Sequence, residues 1–292
     1  MISAIDGLRE VSQCLSYYGI EEPQKEAEII LSRCIGIERV SIYRDNPVLS
    51  PRQIKTIEGV LERRSEREPL QYILGDVDFY GLRIKVGHGV LIPRPETELV
   101  VEEVLKMLRS NQEIRTRYSS LRILDLCTGS GCIALAIARH CPDLKVYGTD
   151  VSEKALGYAR ENRRINSIKN VTFLKGDLYE PVKGMRFDII ISNPPYIRRM
   201  DIRNLQPEIK MWEPIEALDG GEDGLQFYRE ILRHSADYLN NRGSIIMEVG
   251  SGEAEDVLRI AEALGLRCAS VIKDYSGIER VLCLVRRPYR II

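Results

Sequence analysis

The sequence is short of the groups that build metal and disulfide sites. Three histidines and no Cys-x-x-Cys pair in 292 residues leave little for a zinc cluster, and seven scattered cysteines, an odd number, do not make a disulfide framework. Cys127, Cys132 and Cys141 come close together in the chain. The last two fall at the ends of an apolar helical segment, so all three read as small core residues and no metal site is expected. No apolar run approaches the roughly 18 residues that span a bilayer, and Met1 to Gln13 lacks the basic-then-apolar pattern of a secretory signal. Charge of one sign is equally scarce. Lys plus Arg is 42 against 43 Asp plus Glu, a net charge of -1, which gives no global footprint for a polyanion or an anionic membrane. These absences lead to the expectation of a cytoplasmic protein with no membrane partner and no direct nucleic-acid partner. An apolar fraction of 44% with 29% charged residues excludes collagen-like, coiled-coil and mainly disordered chains.

What is present divides into three stretches. Residues 1–75 read as a small helical domain: Ser3 to Tyr18 is periodic, Ala27 to Ile35 has one apolar face, and Pro51 opens a helical run through Arg67. Residues 76–95 read as a connecting β-hairpin. There Phe79 to Val86 alternates as one strand and Val90-Leu91-Ile92 is a candidate returning strand. Residues 96–292 repeat strand and helix. Strands are expected at 122–126, 145–149, 171–174, 187–192, 244–249, 266–273 and 281–285, with helices at 96–108, 132–140, 153–165, 225–239 and 253–263. That alternation implies an α/β domain with about seven strands, mostly parallel and covered on both faces, the last two forming a hairpin that makes one strand antiparallel.

The loop after the first of these strands, Asp125-Leu126-Cys127-Thr128-Gly129-Ser130-Gly131, carries small residues where a backbone can approach a ligand. Asp150 closes the next strand and can accept hydrogen bonds from both hydroxyls of a ribose. Asp177 follows the third strand, within reach of an adenine amino group, with Leu178 beside the ring. Two cofactors suit this layout. Gly129-x-Gly131-x-x-Ala134 satisfies a dinucleotide fingerprint, a weak signal alone. S-adenosylmethionine uses a similar loop preceded by an acidic residue, because its methionine end carries an ammonium group. Asp125 is that residue, and its charge would repel a pyrophosphate.

The fourth strand ends in Asn193-Pro194-Pro195-Tyr196. The two prolines stiffen the chain, leaving the Pro194 carbonyl and the Asn193 side chain as neighbouring acceptors for the two donors of an NH2 group. The Tyr196 ring is placed to stack on a planar amide or base. Such a site would orient an amide nitrogen toward a methyl donor, and acceptors on the NH2 would favour the positive charge that develops on it.

With these residues together, the chain resembles the HemK/PrmC family, the protein-(glutamine-N5) methyltransferases of class I peptide chain release factors. The likeness extends over Pro69 to Gly75, Phe79-Tyr80-Gly81, Val90 to Glu98, Asp125 to Gly131, Glu213-Pro214, Gly220-Gly221-x-x-Gly224-Leu225 and Asp274-Tyr275 with Glu279-Arg280. It implies a Rossmann-like class I methyltransferase domain. Asn193, Pro194 and Tyr196 would hold the glutamine of a Gly-Gly-Gln motif, with Pro195 shaping the loop. Cys127, Thr128, Gly129, Ser130, Gly131, Asp150, Leu178 and Asn193 would line the S-adenosylmethionine site, which is left holding S-adenosylhomocysteine. Members of the family often have glycine where Cys127 stands, and some have an aromatic ring at Leu178. The helical domain would dock the release factor. The nearest alternative is an adenine-N6 methyltransferase of nucleic acid, kept open by Arg198, Arg199 and Arg203 and weakened by the near-zero net charge. An NAD-dependent oxidoreductase lacks a hydride-site constellation, and a non-catalytic binding module would not need an intact Asn193 and Tyr196.

Overall fold

The computed structural model of the protein describes residues 1–110 and 121–286. The chain divides into two compact units, one of residues 1–75 with 206–212, the other of residues 76–205 with 213–292.

The first unit is helical. Helix α1 (Ala4–Tyr17) starts where Ser3 and Asp6 cap each other's backbone, and α2 (Pro23–Ile35) starts on a proline and stops at Gly36, whose φ of 80° no other residue adopts as cheaply. Helices α3 (Arg39–Asp45), α4 (Pro51–Ser65) and α5 (Leu70–Leu74) follow, α4 under a Ser50–Gln53 capping box. One core joins them: Leu8, Val11 and Leu15 from α1, Ile30 and Leu31 from α2, Ile42 from α3 and Ile57 from α4. A buried ion cluster sits at its edge. Arg64 reaches Glu26 at 2.8 Å and Glu208 at 2.9 Å, and Arg67 reaches Glu208 at 2.8 Å. Glu208 belongs to a short helix far along the chain, 207–212, so that segment is part of the helical unit although no sequence feature marks it.

The second unit opens with β1 (Asp76–Phe79) and β2 (Leu82–Lys85), paired antiparallel. This corrects the expected hairpin. The strand does not run through 79–86, because Tyr80 and Gly81 take φ of 47° and 73° and turn the chain, and the Tyr80 amide is held by Glu98 at 2.7 Å. Residues 90–92 are then free of any strand, and the Ile92 amide donates to Glu213 at 3.2 Å.

Seven strands follow: β3 (Arg122–Leu126), β4 (Lys145–Asp150), β5 (Val171–Lys175), β6 (Phe187–Ser192), β7 (Leu239–Glu248), β8 (Leu266–Lys273) and β9 (Glu279–Arg286). They form one sheet in the order β5-β4-β3-β6-β7-β9-β8, with β9 antiparallel to both neighbours and the remaining pairs parallel. Helix α6 (Glu98–Ser110) precedes the sheet. Helices α7 (Cys132–His140) and α8 (Glu153–Ile165) link β3 to β4 and β4 to β5. Numbering the 207–212 helix α9, the remaining two are α10 (Gln226–Tyr238) and α11 (Ala254–Ala263). Strands such as Ile189-Ile190-Ile191 are buried on both sides, as a sheet covered by helices on its two faces requires. The chain leaves β3 toward β4 on one side and returns through β6 on the other. The carboxyl ends of β3 and β6 therefore flank a point where the winding reverses, the place where open α/β sheets form a crevice. Among the described residues, no helix is long and apolar enough to cross a membrane.

Candidate active site

The loop from β3 to α7 is held in shape by its own backbone. The Thr128 amide donates to Thr149 O at 3.0 Å and the Gly131 amide to Thr128 O at 2.8 Å. Cys127, Gly129 and Gly131 all have positive φ, 57°, 56° and 78°. At Gly131 a Cβ would also stand 2.7 Å from the Phe173 ring and 3.1 Å from Ala159, so glycine is required there by space as well as by dihedral. Cys127 occupies the same backbone region with a side chain, which explains why glycine suits that position and places a modest strain on this loop.

Asp125 is completely buried under this loop. The Thr128 hydroxyl donates to its Oδ2 at 2.5 Å, while Oδ1 has no hydrogen-bond partner among the described residues. Burial pushes its carboxyl up to about 7, against the opposing hydrogen bonds from Thr128 and the Ala134 backbone. Asp150, at the end of β4, accepts from the Gly129 amide at 2.8 Å and the Ser152 amide at 2.9 Å. Its pKa is nevertheless raised, since burial outweighs those two bonds. The Thr149 hydroxyl fixes the Leu178 carbonyl at 2.8 Å, and Leu178 itself sits at φ 41°. Asp177 beside it is exposed.

On the other side, β6 ends as the Ser192 hydroxyl donates to Leu126 O at 3.0 Å, tying the two strand ends together. Asn193 follows. Its Nδ2 donates to the Thr97 hydroxyl at 3.2 Å, and among the described residues neither its Oδ1 nor the Pro194 carbonyl accepts a hydrogen bond. Beyond Tyr196 the chain is clamped. The Ile197 amide donates to Leu218 O at 2.9 Å and the Gly220 amide to Ile197 O at 2.8 Å, and a Cβ on Gly220 would lie 2.7 Å from Tyr196 backbone atoms.

These loops enclose a cavity of about 470 Å³. Cys127, Thr128, Gly129, Ser130, Asp150, Asp177, Leu178, Asn193 and Pro195 line it, so most of the residues singled out from the sequence converge on one space. Asp125, Gly131, Pro194 and Tyr196 do not line it. Asp125 stands behind the loop, and Gly131 packs on Phe173. Tyr196, the ring expected to stack on a planar group, is partly buried. It packs against the core of the sheet unit and its hydroxyl hydrogen-bonds to Glu248, with burial pushing its pKa well up. Sequence reasoning assigned no role to Thr97, Ile133, Glu216 or Phe227, which also line the cavity. Arg94 lines it too, ion-paired with the buried Glu213. Both members of that pair stand in segments that carry the family likeness, which was the available signal for them.

Comparison with known proteins agrees with this geometry. Residues 6–75 match the family described as the PrmC N-terminal domain, and residues 104–208 match the methyltransferase small domain. A release factor glutamine methyltransferase of Thermodesulfovibrio yellowstonii is 47% identical over 97% of this chain and 98% of its own length. The chain belongs to the release factor glutamine methyltransferase family. A second relative of that description, from Geobacter sulfurreducens, is 42% identical over 92% of this chain and 91% of its own length. Among solved structures, a methyltransferase from Pyrococcus furiosus is 23% identical, with a TM-score of 0.52 over 71% of this chain and 90% of that one, a likeness of fold. In this family member the loops named above form the crevice wall at the reversal of a class I methyltransferase sheet.

Proposed function

We propose that the protein transfers a methyl group from S-adenosylmethionine to the side-chain amide nitrogen of the glutamine in the Gly-Gly-Gln motif of class I peptide chain release factors, supporting translation termination. The observation that carries this reading is Asn193 on the cavity wall, its nitrogen tied to Thr97 and its oxygen unpartnered. An amide NH2 has two donors to place; the Asn193 Oδ1 is one acceptor without other work, and the Pro194 carbonyl, next to it in the chain though not itself on the cavity wall, is the second.

The residues on the opposite wall fit the cofactor. Asp150 is oriented by two backbone amides and has lone pairs left for ribose hydroxyls, and Leu178 offers an apolar surface for adenine beside Asp177. The orphaned Oδ1 of Asp125 supplies negative charge behind the loop, which suits a methionine ammonium and opposes a pyrophosphate. S-adenosylmethionine, when bound, brings a methyl group on a sulfonium that is already a good leaving group. The protein's remaining tasks are to align and desolvate the amide. Asn193 fixes the direction of the acceptor nitrogen, the rigid Pro194-Pro195 step keeps Asn193 from relaxing, and acceptors on the NH2 stabilise the positive charge that grows as the N–C bond forms. The proton leaves after transfer, so no strong base is needed in the wall.

Replacing Asn193 by alanine tests this directly. The variant is expected to fold and to keep most cofactor affinity while losing transfer to the release factor. Turnover at the wild-type rate in Asn193→Ala contradicts the reading.

A further inference from the structure

An asparagine side chain can present either its oxygen or its NH2 to a ligand, and the two ends attract opposite partners. In this cavity the choice is made by residues behind Asn193. Thr97 is 2% exposed, and its hydroxyl oxygen accepts from Asn193 Nδ2 at 3.2 Å. A hydroxyl that accepts on one side has a proton to give on the other. That proton goes to Glu248, which is also 2% exposed and takes hydrogen bonds from the Thr97 and Tyr196 hydroxyls. An ionised carboxylate accepts and never donates. With Glu248 ionised, the direction of the chain is set from its inner end: Glu248 takes the Thr97 proton, Thr97 then has only a lone pair for Asn193, and Asn193 turns its NH2 inward and its oxygen to the cavity. Burial pushes the Glu248 carboxyl up to about 7, the Thr97 hydrogen bond and the nearby Arg280 charge hold it down, and Glu96 adds to the rise, so the lock belongs to the ionised form and is full only above about pH 7.

We propose that Thr97, backed by Glu248, is a positioning residue that locks the Asn193 amide with its oxygen toward the cavity, so that the site accepts from an NH2 group. This deepens the glutamine-methylation reading and rests on it. Removing the hydroxyl leaves Asn193 free to rotate, and half of its orientations then present donors to donors.

The test compares Thr97→Val, which keeps the shape and removes the hydroxyl, with Thr97→Ser, which restores it, and with Glu248→Gln, which can donate back to Thr97. Two readouts are taken on the full chain. In protein labelled with nitrogen-15 asparagine, the Asn193 NH2 protons are expected to exchange slowly in the wild type and in Thr97→Ser. In Thr97→Val and Glu248→Gln they are expected to exchange faster. In transfer to the release factor, kcat/KM is expected to fall about 30-fold in Thr97→Val, with cofactor affinity unchanged and with Thr97→Ser recovering most of the loss. Wild-type exchange of the Asn193 NH2 in both Thr97→Val and Glu248→Gln overturns the lock, as does a Thr97→Ser variant no better than Thr97→Val. Absence of transfer in the wild type would count against the glutamine reading instead, while the exchange rates still decide the lock.

Discussion

Three carboxylates, Asp150 on the cavity wall and Asp125 and Glu248 behind it, have different work because their surroundings differ. Asp150 is satisfied by two backbone amides and has acceptor capacity to spare, so its loss should be felt by the cofactor alone. Asp150→Ala is expected to weaken S-adenosylmethionine binding by about 2 to 3 kcal/mol, the worth of two ribose hydrogen bonds to a charged group, and titration calorimetry measures it. Asp125 is buried with one oxygen unpartnered and its carboxyl near 7. A cationic ligand group favours the ionised form and so lowers that pKa on binding. Affinity for S-adenosylmethionine should therefore be full above about pH 7 and fall below it, by up to about tenfold per pH unit, with proton release on binding. The same affinity at about pH 5.5 and about pH 8 would remove Asp125 from the account. Glu248, third in the set, faces no ligand and acts through Thr97. Asp125 and Asp150 were legible in the sequence because Asp150 closes a strand and Asp125 stands one residue before a strand's end, in a repeating strand-helix pattern. Thr97 was not, since its role exists only through a contact with a residue 96 positions away.

Elements show the same division between local and distant causes. Strand β3, helices α7 and α8, and strands β6 and β8 fall where composition alone places them, because each is a periodic or continuously apolar segment with its stop signals alongside. The two-residue turn at Tyr80-Gly81 was missed because the apolar alternation runs unbroken across it, and Tyr is not a residue that announces a positive φ. Helix α3 is seven residues rich in β-branched and aromatic side chains with only Ile42 buried, so it has no amphipathic period to read. Helix α9 has no buried residue at all, and the ion pairs of Glu208 are among its ties. The Gly220 loop makes an element-scale prediction. A Cβ there meets the backbone of Tyr196 and Gly224, atoms that cannot swing aside. Gly220→Ala is thus expected to displace the segment after Asn193, cutting transfer by an order of magnitude or more while the circular dichroism spectrum stays that of the wild type. Undiminished transfer would show that the clamp does not position the site.

At the scale of the whole molecule, the sequence order and the order in space part company once, at residues 206–212, which lie between stretches of the sheet unit yet pack with the helical one. Arg64 is central to that exchange, 4% exposed and paired with Glu26 and Glu208. Arg64→Leu leaves the partly buried Glu26 without its Arg64 pair and Glu208 with Arg67 alone, and the helical unit is expected to lose about 3 kcal/mol of stability, read from its denaturant midpoint. A midpoint within error of the wild type would mean that the cluster is neutral to folding. The alternation of strands and helices and the Asn-Pro-Pro-Tyr corner carried the fold class and the chemistry, whereas the acceptor's identity rests on family membership. One experiment joins these levels. Purified protein is given S-adenosylmethionine labelled in its methyl group together with a release factor, the same factor with the Gly-Gly-Gln glutamine changed to alanine, or duplex DNA. Label on the intact factor alone is the predicted result; label on DNA, on the glutamine-to-alanine factor, or on none of the three would contradict it.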